Sequence, residues 1–261
     1  VVWGTDYEMA ADRHLIDLLR RARKPAAAEA ALGRLAQAST DAWARYDATR
    51  DFRHVFGFAG DPALVRAVRE AWPDPAPAAA SILDTLEETL EINRLWTSGQ
   101  GHASNLRRAS NLRENFLRYW RPHATAADAP KVFLKYGSNH LVRGPTSVGT
   151  FDTGSLVAEL AALRGEQSFH LLVLPGAGAP TAVFDPASFA YRPAAPKDGY
   201  AVGLERVTAE AWPDAPTLLD TEPLRRLVTS KRNGADPELV RAVMGFDAIL
   251  VLSGSTASVN L

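Results

Sequence analysis

The chain has 261 residues, 46% hydrophobic and 23% charged, with a formal net charge of -1 and no cysteine. That composition fits a globular protein with a sizeable core, and the near-neutral balance without a charge block argues against a nucleic-acid-binding surface. No window approaches the roughly 18 apolar residues that span a bilayer, so no transmembrane segment is expected, and disulfide and thiolate chemistry are excluded.

Val1, Val2 and Trp3 read as a short strand broken at Gly4, with Asp6 placed to cap the next helix. The opening on Val1, with no initiator Met, predicts a fragment or processed product with an upstream segment missing. Ala11, Leu15, Ile16 and Leu19 fall on one helical face, and basic residues gather near its end at Arg20 to Lys24. Pro25 opens an Ala-rich helix to about Thr49. Further helices are expected after Asp61-Pro62 and over roughly Ala78 to Trp96, the latter with Ile82, Leu86, Leu90 and Asn93 on one stripe. SGQGHAS (98–104) is a turn, with Ser104 as N-cap candidate for the helix beyond it.

Residues 107–149 organise the chain: a helix, a polar connection, the strand KVFLKYG (131–137) and a polar loop from Gly137. GPTSVGTFDTG (144–154) is Gly-rich and too long for a tight turn, the kind of loop that lines sites. A short helix over Ser155 to Leu163 leads to the buried strand SFHLLVLP (168–175). From 176 to about 216 the chain reads as loop with one or two short strands. Short helices follow at Pro223 to Val228 and Pro237 to Met244, and FDAILVL (246–252) is a last buried strand before a tail. Strands separated by helices predict a helix-rich α/β protein with a mostly parallel central sheet flanked by many helices. Residues 1–261 are expected to form one domain with a helical insertion at about 25–97.

In the organising helix, Ala109, Leu112, Phe116, Tyr119 and Trp120 form the apolar face at ~100° per residue. Arg108 and Asn115 lie within about 20° of each other at its edge. Arg107, Asn111, Glu114 and Arg118 take the opposite, solvated side. Polar groups at a core boundary need partners. Backbone carbonyls or a carboxylate would satisfy Arg108 and Asn115 structurally; alternatively the Arg108 fork meets a substrate carboxylate, phosphate or ester oxygen. His140 follows Gly137-Ser138-Asn139 where the 131–137 strand ends, in the company of Asn139, Arg143 and Ser147. Imidazole is the side chain best suited to move a proton near neutral pH, although a single such histidine is more often structural. PGAGAP (175–180) lacks the third Gly and the helix of a dinucleotide fingerprint, SGS at 253–255 is no nucleophile elbow, and the six histidines show no metal-ligand spacing.

Four patches carry a family resemblance: VVWGTDYEM, RRASNLRENFLRYW, KVFLKYGSNHLVRG and FDAILVLSGSTAS. Together they resemble, in order, the erythromycin esterase-like family, related more distantly to TraB/ChaN-type proteins. Gly4 and Asp6 match its first strand segment, Arg108 and Asn115 its R-x-x-x-M-x-x-N helix with Leu112 in place of Met, and His140 its His-bearing loop. The family's G-E-x-H-G segment has no match here, and Gly137 stands where an earlier histidine is usual. The resemblance implies a bacterial protein that hydrolyses an ester or similar bond of a small molecule through activated water. His140, Arg108 and Asp6 are then the catalytic candidates, and Asn115, Asn139, Arg143 and Tyr136 the substrate-binding ones. No cofactor or metal is expected for that reaction. The alternative is a non-catalytic protein that binds a small ligand of the haem or iron type on the same fold, with His140 or Tyr136 at the metal.

Overall fold

The helical half is built from strong local signals. In the computed structural model, which describes residues 1–7, 9–126, 129–177, 179, 181–185, 190–195, 203–230 and 234–256, the chain divides into two compact units, Val1–Pro122 and His123–Leu261. The first contains α1 (Asp12–Arg21), α2 (Ala26–Thr49), α3 (Phe56–Ala59), α4 (Pro62–Ala71), α5 (Pro77–Thr97) and α6 (Gly101–Trp120). The helical stretch expected at 25–97 lies within this unit. Pro25 precedes α2 directly, and the Asp61 side chain accepts from Ala63 N at 2.8 Å to cap α4. Gly99 ends α5 at φ +77°, with Gly99 N donating to Trp96 O and Gln100 N to Leu95 O, the paired bonds of a Schellman cap. Lys24 Nζ donates to the carbonyls of Arg20 and Ala22 at the C-terminus of α1 and pairs with Glu29. Leu19, Leu32, Leu35, Val65, Val68 and Leu83 are fully buried in one core with Phe56 and Trp72. Each contributes about 1.5–3 kcal/mol through burial.

Several local expectations are corrected. Residues 1–5 form no strand, and Asp6 does not cap α1, whose N-cap is Ala11. Ser104 is not an N-cap either: α6 starts three residues earlier, and the buried Ser104 hydroxyl donates to Ile92 O of α5 at 2.8 Å. Its pull toward a neighbouring helix outweighs its capping propensity.

The second unit holds α7 (Ser138–Leu141), α8 (Thr153–Leu163), β1 (Leu171–Pro175), β2 (Thr181–Asp185), β3 (Ala190–Ala194), α9 (Glu205–Ala209), β4 (Thr217–Asp220), α10 (Arg225–Val228), α11 (Pro237–Gly245) and β5 (Ala248–Leu252). β5 lies between β1, parallel with Leu171 opposite Ala248, and β4, antiparallel with Leu218 opposite Leu250. β2 and β3 form a separate antiparallel pair. The chain is thus a helix-rich α/β protein, and a mostly parallel central sheet is not shown. Lys131–Gly137 is outside any strand; Phe133 there is 91% exposed. β1 is shorter than the expected 168–175 and alternates, with Leu172 and Leu174 inward and Leu171 and Val173 exposed. The tail is described only to residue 256. No helix among the described residues is long and apolar enough to cross a membrane.

Candidate functional site

In the first unit, α6 presents its apolar face inward through Ala109, Leu112, Phe116 and Trp120, whereas Tyr119 is exposed. Trp3 stacks on Tyr119 with ring centroids 5.5 Å apart and meets Phe116 edge-on at 5.9 Å. The segment from Trp3 to Tyr7 is thereby laid along the edge of α6 where Arg108 and Asn115 project. Arg108 grips Asp6 with both prongs, Nε to Oδ1 at 3.1 Å and Nη2 to Oδ2 at 2.5 Å, and its guanidinium lies 4.9 Å from the Tyr7 ring centre. Asn115 Nδ2 donates to Thr5 O at 2.9 Å and to Asn111 Oδ1 at 3.1 Å. Asp6, Arg108 and Asn115 therefore come together, one paired with a carboxylate and another with a backbone carbonyl. On the side expected to be solvated, Arg107 instead bonds Glu88 of α5 through Nε and Nη2 at 2.8 and 2.6 Å. A small polar pocket beside the pair is lined by Asp6, Tyr7, Asp84, Thr85, Glu88 and Asn115, among others.

In the second unit, the chain turns at Gly137 into the single turn of α7, where His140 N donates to Gly137 O at 2.9 Å. Val142, two residues on, is buried in the core with Leu172, Leu174 and Val251, which fixes the register of the His140 segment. The 144–154 loop closes on itself. Thr146 N donates to Thr150 O, Gly149 N to Thr146 O, and the two threonine hydroxyls meet at 2.9 Å. Gly149, at φ +76°, supplies the left-handed backbone for this turn. At the loop's base Gly144 N donates to Ser155 Oγ at 3.0 Å, while Ser147 Oγ donates to Asn139 Oδ1 at 2.9 Å. A stretch that reads as too long for a tight turn is in fact a closed hairpin, because buried threonines satisfy its backbone.

This hairpin delivers Asp152 to His140. The carboxylate caps α8, and its Oδ2 lies 2.8 Å from His140 Nδ1; the side chains are 3% and 19% exposed respectively. Burial pushes the Asp152 carboxyl up, but the hydrogen bond and charge of His140, with the two donors of Thr153, outweigh it and hold it below the usual carboxylate range. The Tyr136 ring meets the imidazole edge-on, 6.3 Å between centroids. Arg143 is engaged elsewhere. It pairs with Asp247, which also accepts from His170 N at 2.7 Å and from Arg225 Nη2 at 3.4 Å. Asp152 and Asp247 are the residues that sequence reading missed. Asp152 falls inside the 144–154 loop, and its signal in the sequence is an Asp immediately before Thr-Gly-Ser, 12 positions after His140. Among the described residues no group of three or more His, Asp or Glu is arranged to hold a metal ion.

No family profile and no curated protein matches the chain. Among solved structures, a histidine-to-asparagine mutant of the erythromycin esterase EreC in its open conformation is similar, with TM-score 0.55 and 16% identity over 99% of this chain and 70% of that one. At that identity the likeness is one of fold.

Proposed function

We propose that the protein is a hydrolase of the esterase-like type, which cleaves an ester or similar bond in a small molecule by activating water. The observation that carries this reading is the partly exposed His140 imidazole hydrogen-bonded to a buried carboxylate. That arrangement suits a group that takes a proton from water and returns it to the leaving oxygen. The fold likeness to an erythromycin esterase supports the reaction class. In the second unit, Tyr136 and Asn139 are the better substrate-binding candidates because Tyr136 meets the His140 ring and Asn139 precedes it in α7, whereas Arg143 turns to Asp247. In the first unit, Arg108 is by itself the group suited to an anionic oxygen, with Asp6 gripping its fork and Asn115 holding the adjacent Thr5 carbonyl.

The test is hydrolysis of a panel of activated esters of graded acyl size by the whole chain and by His140→Ala. Turnover should fall roughly 100-fold or more in the variant, with its circular dichroism melt nearly unchanged. Undiminished hydrolysis would remove His140 from the mechanism. No hydrolysis by either protein, together with a Soret band on haem titration, would replace the enzyme with a small-ligand-binding protein.

A further inference from the structure

We propose that Asp152 is the positioning residue that fixes neutral His140 as its Nδ1–H tautomer, so that Nε2 is the ring atom that exchanges protons. The role given to Nε2 rests on the hydrolase reading; the tautomer is a property of the ring and its partner alone. Thr153 decides which carboxylate oxygen is left for the ring. Its backbone N–H can only donate, and it donates to Asp152 Oδ1 at 2.6 Å, with Thr153 Oγ1 on the same oxygen at 3.1 Å. Oδ2 is then the oxygen turned to His140 Nδ1. An ionised carboxylate accepts and has no proton to give, so Nδ1 carries the hydrogen and Nε2 the lone pair. Among the described residues no hydrogen bond meets Nε2.

The spacing is held by backbone packing. A Cβ on Gly154 would collide with the Leu141 carbonyl group and approach Val142 O to 2.6 Å. The first turn of α8 therefore sits directly on the backbone that carries His140, with no side chain between them. Rotation of the carboxylate is restricted by its burial and by the two Thr153 donors. A relaxed, solvent-facing histidine would have none of these constraints.

Nitrogen–proton correlation spectra of the whole, histidine-labelled chain read the tautomer directly, with His140 assigned by its loss in His140→Gln. The expected result is a protonated Nδ1 and an unprotonated Nε2 in the neutral ring. In Asp152→Asn the Thr153 N–H retains the amide oxygen, the amide NH2 faces Nδ1, and the ring changes to the Nε2–H form. On an ester substrate, Asp152→Asn should lower kcat roughly 100-fold at little-changed KM, and Asp152→Glu, again acceptor-only, should recover part of it. Native His140 in the Nε2–H form, or Asp152→Asn with tautomer and kcat unchanged, overturns the proposal. Failure to find any ester substrate would overturn the hydrolase reading instead, because the tautomer is read without turnover.

Discussion

Arg108 and Asp6 are each about one-third exposed at 32% and 33%, although their contact is two-pronged. Pairs this open to water contribute about 0–1 kcal/mol, so the geometry alone is a weak stabiliser. Asp6→Ala should accordingly lower unfolding free energy by less than about 1 kcal/mol in urea titration. The Trp3 stack on Tyr119 is the stronger fastening, and Trp3→Ala should cost about 1–2 kcal/mol through lost ring contact and buried area. Arg108→Lys keeps the charge and loses the fork, which separates the two uses of this side chain. Under the proposed function it reduces ester turnover at least about tenfold while the melt barely moves. Equal turnover in the two proteins would leave Arg108 with its structural role alone. The pairing of Arg108 and Asn115 was visible in sequence because seven helical residues return nearly to the same angle. Their partners were visible only as classes, carbonyl or carboxylate, since Thr5 and Asp6 lie more than a hundred positions away.

Between elements, one buried carboxylate joins α1 to α2. Asp12 accepts from Ser39 Oγ and from Trp43 Nε1, the latter at 3.0 Å, and Arg13 lies 4.2 Å from the centre of the Trp43 ring. Asp12→Ala strands the buried Ser39 hydroxyl and the part-buried Trp43 N–H, and should destabilise the first unit by roughly 1–3 kcal/mol in chemical denaturation. A loss under 1 kcal/mol would mean that water replaces the carboxylate easily. The helices of this unit were legible because their boundaries are local: Pro25, Asp61-Pro62, and the Gly99 that completes a Schellman cap. Strands were less legible, since a ladder depends on a distant partner. Val132, Phe133 and Leu134 have strand-forming side chains, yet the 131–137 segment makes no ladder, whereas β4 forms against β5 with only four residues. Asp152 escaped notice for a related reason. Its helix-capping role is sufficient to explain it locally, and its bond to His140 is set by how the 144–154 hairpin closes.

At the scale of the molecule, His170 is expected to make the folded state sensitive to mild acid. It is 5% exposed where the chain enters β1, with Nδ1 2.7 Å from Leu141 O and Nε2 2.9 Å from Ser168 Oγ. Burial lowers its proton affinity below the ordinary value of 6.5; the Leu141 carbonyl opposes that, the Arg143 charge adds to it, and Asp247 opposes it. Between 6.5 and the lower folded value, the unfolded chain binds the extra proton. The stability held by the neutral ring is therefore complete above 6.5 and is lost as the pH falls from there through the folded value. Urea midpoints measured from about pH 7.5 to 5.5 should decline in the native chain and decline less in His170→Asn, whose amide can still donate to Leu141 O. An equal decline in both proteins would assign the acid sensitivity to another group. The consequence reaches the candidate site, because Leu141 directly follows His140 in α7. A proton on His170 weakens the packing that holds that turn, so backbone amide exchange in α7 should quicken with mild acid in the native chain and quicken less in His170→Asn.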